Sequence, residues 1–411
     1  MSITRMLLAL GITLATARAD VVVIDPAGAP GSPMLMRALA VAAPGDVLLL
    51  EPGDYKQAAF VYLIDKGITL LPASTAARIT LGPIQIQDLP AGQTVVLRGF
   101  DVQTFPDATS AMLISHTRGT AWIEDCAFIG SPGAASFFST PGGFAVSIFQ
   151  AHAIFRHCSF EGGTGADATP GVPATVGGDA LHVASLSEVA FFDCTLVGGD
   201  SGSGLPSDPG STASSALAAA FADITLSGCT LTGGKEGADN DAQPGTSGSA
   251  IVTDGIVGAV RVLQSSLMAG AVQGAGTQGA AVVDPGSIVT LLAEPARSLV
   301  LPALAQVGPA VSLLLDGERG DLALIMMSPA AGAIPAPSLE GTLAVQPGSF
   351  GTPVVVGVLP GPDGQLSLPL SSGLLPPGMD ALTMFAQGLF VDADGRSLGG
   401  ASAITWVAAA P

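Results

Sequence analysis

The sequence predicts an all-β fold, a solenoid of stacked coils over residues 20–292 followed by a smaller β-sandwich-like domain over residues 293–411. Three observations predict it. A short phrase centred on cysteine recurs as "WIEDCAFIG", "FRHCSFEGG", "FFDCTLVGG" and "LSGCTLTGG", around Cys126, Cys158, Cys194 and Cys229. A second apolar run precedes each phrase, as "AMLIS", "FAVSIF", "ALHVA" and "ALAAAF", with "AIVTD" ahead of a fifth unit. Past about residue 295 the phrase disappears, and short apolar runs alternate with Pro-Gly, Pro-Asp-Gly and Asp-Ala-Asp-Gly turns.

The first segment, "MSITRMLLALGITLATARAD", carries Arg5, an apolar run from Met6 to Ala15 and then Ala17-Arg18-Ala19. That layout predicts a signal peptide over residues 1–19, cleaved before Asp20, and hence a secreted or cell-surface protein. The apolar run is shorter than the ~20 residues that span a bilayer. Every later apolar run is broken by Gly, Pro or charge, so no transmembrane segment is expected. Ser32-Pro33 then reads as an N-cap and first helical position, "MLMRALAVAA" as an amphipathic helix, and "PGD" as its stop. "VLLLEPGDY" follows as a first strand and turn.

Aligned on the cysteines, the repeat extends down to Phe100 and up to Ser265, with anchors 26 to 36 residues apart. Five and three residues before the anchor stand small or apolar pairs: Ala121/Ile123, Ala153/Phe155, Val189/Phe191, Ile224/Leu226 and Val260/Val262. Two residues after it stand Phe128, Phe160, Leu196, Leu231 and Leu267. This is strand alternation broken by a bend. One such unit cannot bury its inward side chains, whereas stacked units bury a continuous core. Phe100, Cys126, Cys158, Cys194, Cys229 and Ser265 then form one inward column, with cysteine acting as a small hydrophobe. Two disulfides are the competing reading. Neighbours in the column stand ~4.8 Å apart, but parallel Cβ vectors place their sulfurs poorly for a bond, so packing is preferred.

These strand–bend units and their helical cover resemble the right-handed parallel β-helix of the pectate-lyase-like superfamily. "WIEDC" (Trp122 to Cys126) is similar to a Trp-Ile-Asp-His-Cys phrase of pectate lyases, where it belongs to the coil and is not the catalytic base. The resemblance implies a groove beside one sheet, which in β-helix enzymes binds glycan. Lyase chemistry on uronates needs calcium carboxylates and a basic residue, yet the lysines are only Lys56, Lys66 and Lys235, and no repeat surface clusters Lys with Arg. Glycosidases need carboxylates close in space. The Asp-Asp and His-Gly phrases of polygalacturonases do not occur here. The tail, with "GQLSLPL" and "AQGLFVD", resembles a C-terminal module of secreted environmental bacterial proteins.

With 14 basic against 33 acidic residues the chain carries a net charge of −19, which excludes nucleic acid as a partner. Among candidate sites, Asp125, His157 and Asp193 fall one residue before successive anchors and form a surface ladder. Glu124 and Arg156 occupy the next column and are expected to pair while exposed, at ~0.2–1 kcal/mol. His152 shares a column with Glu188 and Asp223, and His182 reads as a core histidine. The Gly-rich insertions after each phrase project from one edge as a wall of loops, expected to be solvated and linker-like. Asp200, Asp208, Glu236, Asp239 and Asp241, with Asp167 and Asp179, are candidates there for calcium or glycan, since calcium takes oxygen ligands. No other cofactor is expected and no catalytic residue is nominated. The sequence points to a non-catalytic protein, structural or glycan-contacting, with a polysaccharide or cell-surface glycan as partner. The alternative is a polysaccharide lyase or glycoside hydrolase working in the loop-walled groove.

Overall fold

The computed structural model describes the chain outside residues 1–18, 27–33, 57–60, 75–78, 106–107, 135–139, 205–210, 238–244, 255–256, 273–276, 294, 347–353, 361–363, 372–374, 394 and 409–411. Residues 1–18 of the expected signal peptide, Ser32-Pro33, Asp208, Asp239 and Asp241 therefore lie outside the described residues. No helix among the described residues is long and apolar enough to cross a membrane.

Each full coil contributes three short strands. One coil supplies Ser110–Ser115, Thr120–Glu124 and Ala127–Ile129, and the next supplies Phe144–Phe149, His152–Arg156 and Ser159–Glu161. Each pairs in parallel with its counterparts one coil away, which generates sheets of ten, eight and eight strands. This is a right-handed parallel β-helix, the hand that parallel crossovers take. We call these the long sheet (Thr120–Glu124 and its counterparts), the post-cysteine sheet and the third sheet (Ser110–Ser115 and its counterparts).

Register does the packing. Ala121, Ala153, Val189, Ile224 and Val260 stand in one inward row, and Ile123, Phe155, Phe191, Leu226 and Val262 in the next. Identical types in register stack face to face: Phe155 on Phe191 at 5.1 Å and Phe128 on Phe160 at 5.4 Å. Helix Met34–Val41 buries Leu35 and Leu39 against the first coils. Lys66 Nζ donates to the Leu39 and Ala42 carbonyls at 3.2 Å, satisfying acceptors at the end of this helix.

The bend before each anchor has a backbone cause. Gly99, Asp125, His157, Asp193, Gly228 and Gln264 all take positive φ, a conformation open to glycine and tolerated by Asp and His. The next residue turns inward, and in every case but Phe100 its side chain donates to the carbonyl two residues back. Cys126 donates to Glu124 at 3.3 Å, Cys158 to Arg156 at 3.2 Å, Cys194 to Phe192 at 3.3 Å and Cys229 to Ser227 at 3.4 Å. Half-buried Ser265 repeats the bond with its hydroxyl, to Leu263 at 2.9 Å. The column thus favours a small side chain with one donor, and all four cysteines are buried free thiols.

The last parallel strand of the long sheet is Val289–Leu292, and from Ser298 the chain forms one curled eight-stranded sheet plus the hairpin Ala331–Ala336/Gly341–Val345. Two long strands, Ala381–Val391 and Arg396–Val407, form its spine. Its sandwich-like interior is filled by Leu299, Leu315, Phe390, Ile404 and Trp406.

This C-terminal module lies against the outer face of the long sheet, where the sequence pattern implied solvent. The outward residues Val96, Trp122, Ile154, Ala190 and Phe192 share one apolar cluster with Ala333, Val345, Phe385 and Ala403. Trp122 packs on Phe385 at 4.8 Å. The contact continues downward through Val47, Leu71 and Ala381 and upward to Thr225, whose hydroxyl accepts from Thr342 at 2.8 Å. Because both faces of this sheet are covered, outward side chains are core as well. Leu226→Asp and Ser227→Asp should therefore both destabilise, each by at least about 3 kcal/mol for an unpaired buried charge, although Ser227 points away from the solenoid axis. Thr195→Asp, on the exposed face of the post-cysteine sheet, should be tolerated. Thermal unfolding of the three variants measures this, and a silent Ser227→Asp would mean that the module does not seal the sheet.

Candidate functional site

At the corner between the long sheet and the post-cysteine sheet, the segment Pro302–Leu304 of the module stands over the bends and encloses a groove of about 870 Å³. Arg98, Asp101, Asp125, His157 and Ser159 line it. The positive-φ backbone at Asp125, His157 and Asp193 swings these side chains out in register, so the coils themselves assemble the row. His157 Nδ1 lies 3.4 Å from Asp125 Oδ1 and its Nε2 lies 3.6 Å from Asp193 Oδ2. Arg98 Nε donates to Asp125 Oδ2 at 2.7 Å. The sequence-derived triplet is thus brought together, and Arg98 joins it from the coil below.

The charges fix one another. Contact with Asp125 and then Asp193 holds His157 up at about 9 against the opposing effect of burial. Burial alone would raise Asp125, but His157 and Arg98 outweigh it and hold its carboxyl down at about 2. At neutral pH His157 is therefore a cation without a free lone pair, and Asp125 is a weak base. Arg98 is also committed: Nη1 donates to the Ala403 carbonyl at 3.0 Å and Nη2 to the Leu301 carbonyl at 3.3 Å, both in the module.

Glu124 and Arg156 do pair across adjacent coils, but not at the surface. Both side chains are fully buried beneath the module, which corrects the expectation of an exposed pair. Glu124 also accepts from Trp122 Nε1 at 3.3 Å, Ser402 Oγ at 3.1 Å and the Ala403 N–H at 3.4 Å. Arg156 Nη1 donates to Ser402 Oγ at 3.1 Å as well as to Glu124. These residues were missed as an interface, yet a signal was present. "AWIE", "AIFR" and "VAFF" are apolar on both strand faces at Trp122, Ile154 and Phe192, the pattern of a sheet buried on both sides.

The other histidines divide. His152 Nδ1 pairs with Glu188 at 3.0 Å, and that contact raises its pKa. His182 is not in the solenoid core: it lies half-buried on the third sheet with ring centroids 5.2 Å from Phe144 and 5.6 Å from Phe149.

The insertions are not solvated linkers in their described parts. Outgoing and returning segments hydrogen-bond in one continuous ladder: Gly163 N–H to Gly143, Gly178 to Gly163, Gly199 to Gly178, Ser214 to Gly199, Gly234 to Ser214, Gly248 to Gly234 and Gly270 to Gly248. Glycine is required here by close approach. A Cβ at Gly163 would lie 1.8 Å from the Ser131 carbonyl oxygen, and one at Gly248 would lie 1.9 Å from that of Ser214. Among the described loop carboxylates, three serve this stack. Asp167 accepts from Ser203 N at 2.7 Å, Asp200 from Lys235 N at 2.7 Å, and Asp179 from Ser215 N and Oγ at 2.9 and 2.7 Å. Glu236 is buried inside it. No group of three or more His, Cys, Asp or Glu among the described residues could hold a metal ion.

No family model matches the chain, and no curated protein matches it. Among solved structures, one entitled "Structure of PL6 family alginate lyase AlyGC" is similar over 67% of this chain, with 14% identity and a TM-score of 0.21. The match spans 40% of that protein's chain. Likeness at that level carries no argument about activity.

Two outcomes follow from the corner geometry. Glu124→Ala strands Arg156, Trp122 and Ser402 without their acceptor and should cost about 3–5 kcal/mol, with much of the loss recovered in a Glu124→Ala/Arg156→Met double variant; denaturant titration of the cycle measures this coupling. The folded-state value of about 9 for His157 exceeds its ordinary 6.5, so its ion pairs contribute fully below pH 6.5 and fade as pH climbs through 9. The melting temperature should fall across that window, and His157→Gln should flatten the fall. Parallel curves for parent and variant would remove His157 as the cause.

Proposed function

We propose that this chain is a secreted or cell-surface, non-catalytic β-helix scaffold of pectate-lyase-like kinship, and that it contacts polysaccharide on its loop-bearing side. One observation carries the non-catalytic part: the acid, base and guanidinium groups gathered at the corner groove are committed to one another and to the C-terminal module. A protonated His157, an Asp125 held near 2 and an Arg98 tied to two carbonyls support attachment better than proton transfer.

The glycan part rests on a hollow of about 320 Å³ beside the loop stack. Asp179 sits there among the hydroxyl-bearing residues Thr212, Ser214, Ser215, Thr246 and Ser249. Burial raises the Asp179 carboxyl above its usual range. Three residues on, His182 lies between Phe144 and Phe149, which gives the same side of the solenoid an apolar, aromatic surface. Convergent polar groups beside apolar rings suit a polyhydroxylated ligand with C–H faces.

The test pairs binding with turnover. Labelled protein on a polysaccharide array should bind a neutral or acetylated glycan, and incubation with that glycan should release no fragments by mass spectrometry. Asp179→Asn, which keeps an oxygen to accept from Ser215, should weaken binding at least tenfold while the protein stays folded. Fragment release that disappears in Asp125→Asn would instead establish the lyase or hydrolase alternative in the corner groove.

A further inference from the structure

The loop stack singles out one carboxylate from those that the sequence grouped together. Glu236 is 1% exposed, whereas the adjacent Lys235 is exposed and points away from the stack interior. Both Glu236 carboxylate oxygens are buried, and neither has a hydrogen-bond partner among the described residues. An unpaired buried carboxylate costs several kcal/mol, and among the described residues this one has no hydrogen bond or ion pair to offset that cost. Donors nearby are already engaged: Gly237 N with Ser201 Oγ, Glu236 N with the Ala271 carbonyl, Ser247 N with the Thr277 carbonyl and Gly248 N with the Gly234 carbonyl.

One backbone oxygen stands on the same side of Gly245 as the carboxylate. A Cβ at Gly245 would lie 2.9 Å from both Glu236 Oε1 and the Ser211 carbonyl oxygen, so both oxygens border a position kept clear by glycine. The Ser201 hydroxyl and the Gly202 carbonyl belong to the same stack, where Gly202 accepts from Ser211 Oγ at 3.3 Å. A buried carboxylate beside a backbone carbonyl oxygen, with the N–H groups of Glu236, Gly237, Ser247 and Gly248 committed elsewhere, has no cation paired with it among the described residues. Such oxygens are hard ligands.

We propose that Glu236 anchors a hard, oxygen-seeking metal cation inside the loop stack, with the Ser211 carbonyl as its neighbouring donor, and that the ion locks successive insertions together. Calcium, sodium and potassium share this chemistry. The site is separate from the corner groove; Ser211 and Gly245 directly precede Thr212 and Thr246 of the Asp179 hollow but do not line it, and the test requires no glycan.

Thermal unfolding of the purified full chain in choline chloride with a chelator, against calcium, sodium and potassium chloride at matched ionic strength, reads the proposal directly. At least one of the three ions should raise the melting temperature by several degrees, and the arm that responds names the ion. Glu236→Gln should abolish that response, while Asp200→Asn, whose carboxylate caps Lys235 N at the loop surface, should retain it. An unresponsive parent overturns the proposal, as does a Glu236→Gln protein that keeps the full shift. If Glu236→Gln fails to fold, Glu236→Asp keeps the charge but withdraws it by one methylene. Calorimetric titration with the responding ion should then show at least tenfold weaker binding than the parent, and unchanged affinity overturns the proposal.

Discussion

In-register stacking is the constraint on which the rest of this molecule depends. Each side chain along the solenoid meets its counterpart one strand spacing away, ~4.8 Å, so a property useful at one position becomes a row. Phenylalanines stack into a column, thiols donate to equivalent carbonyls, and residues tolerant of positive φ line one corner. The same rule makes electrostatics collective. Asp125, His157 and Asp193 become an alternating ladder because the bend repeats, and the alternation of sign turns what would be repulsion into mutual attraction.

The long sheet extends this logic to a second layer. A parallel sheet covered on both faces requires apolar side chains in its outward rows as well as its inward ones. Trp122, Ile154 and Phe192 meet that requirement against the C-terminal module. Burying the Glu124–Arg156 pair within this contact is not by itself a source of net stability, because desolvating two charges offsets much of their attraction. Its contribution is directional: Ser402 and Ala403 must arrive at one height on the solenoid to complete the network. Apolar contact supplies adhesion and the buried ions supply register.

The loop side uses backbone rather than side chains. Paired glycines let outgoing and returning segments approach to distances that any Cβ would prevent, and the resulting ladder converts low-complexity sequence into an ordered extension of the coil. This changes the electrostatic meaning of the acidic residues it contains. A carboxylate at the surface of a loop is solvated, whereas Glu236 is enclosed between hydrogen-bonded segments of the stack.

The sequence by itself determined the repeat, the inward rows, the cysteine column, the presence of a bend in each coil and the change of architecture near residue 295, but not that the residue before each cysteine carries the bend. Those features are local or strictly periodic, and the spacing of Cys126, Cys158, Cys194 and Cys229 displays them directly. Tertiary structure alone decided which outward faces remain outward. Ser227 and Thr195 read alike in sequence, both polar and both on an outer face, yet one lies beneath the module and the other in solvent, because only the docked module distinguishes them. Glu124 and Arg156 were legible as a pair but not as a buried one, since their burial depends on Ser402 and Ala403, almost three hundred residues from Glu124. Glycine in the insertions was visible as composition, but its reason was not: closeness of two backbones is a property of their packing, and a residue without a side chain records only that something stands where one would have been.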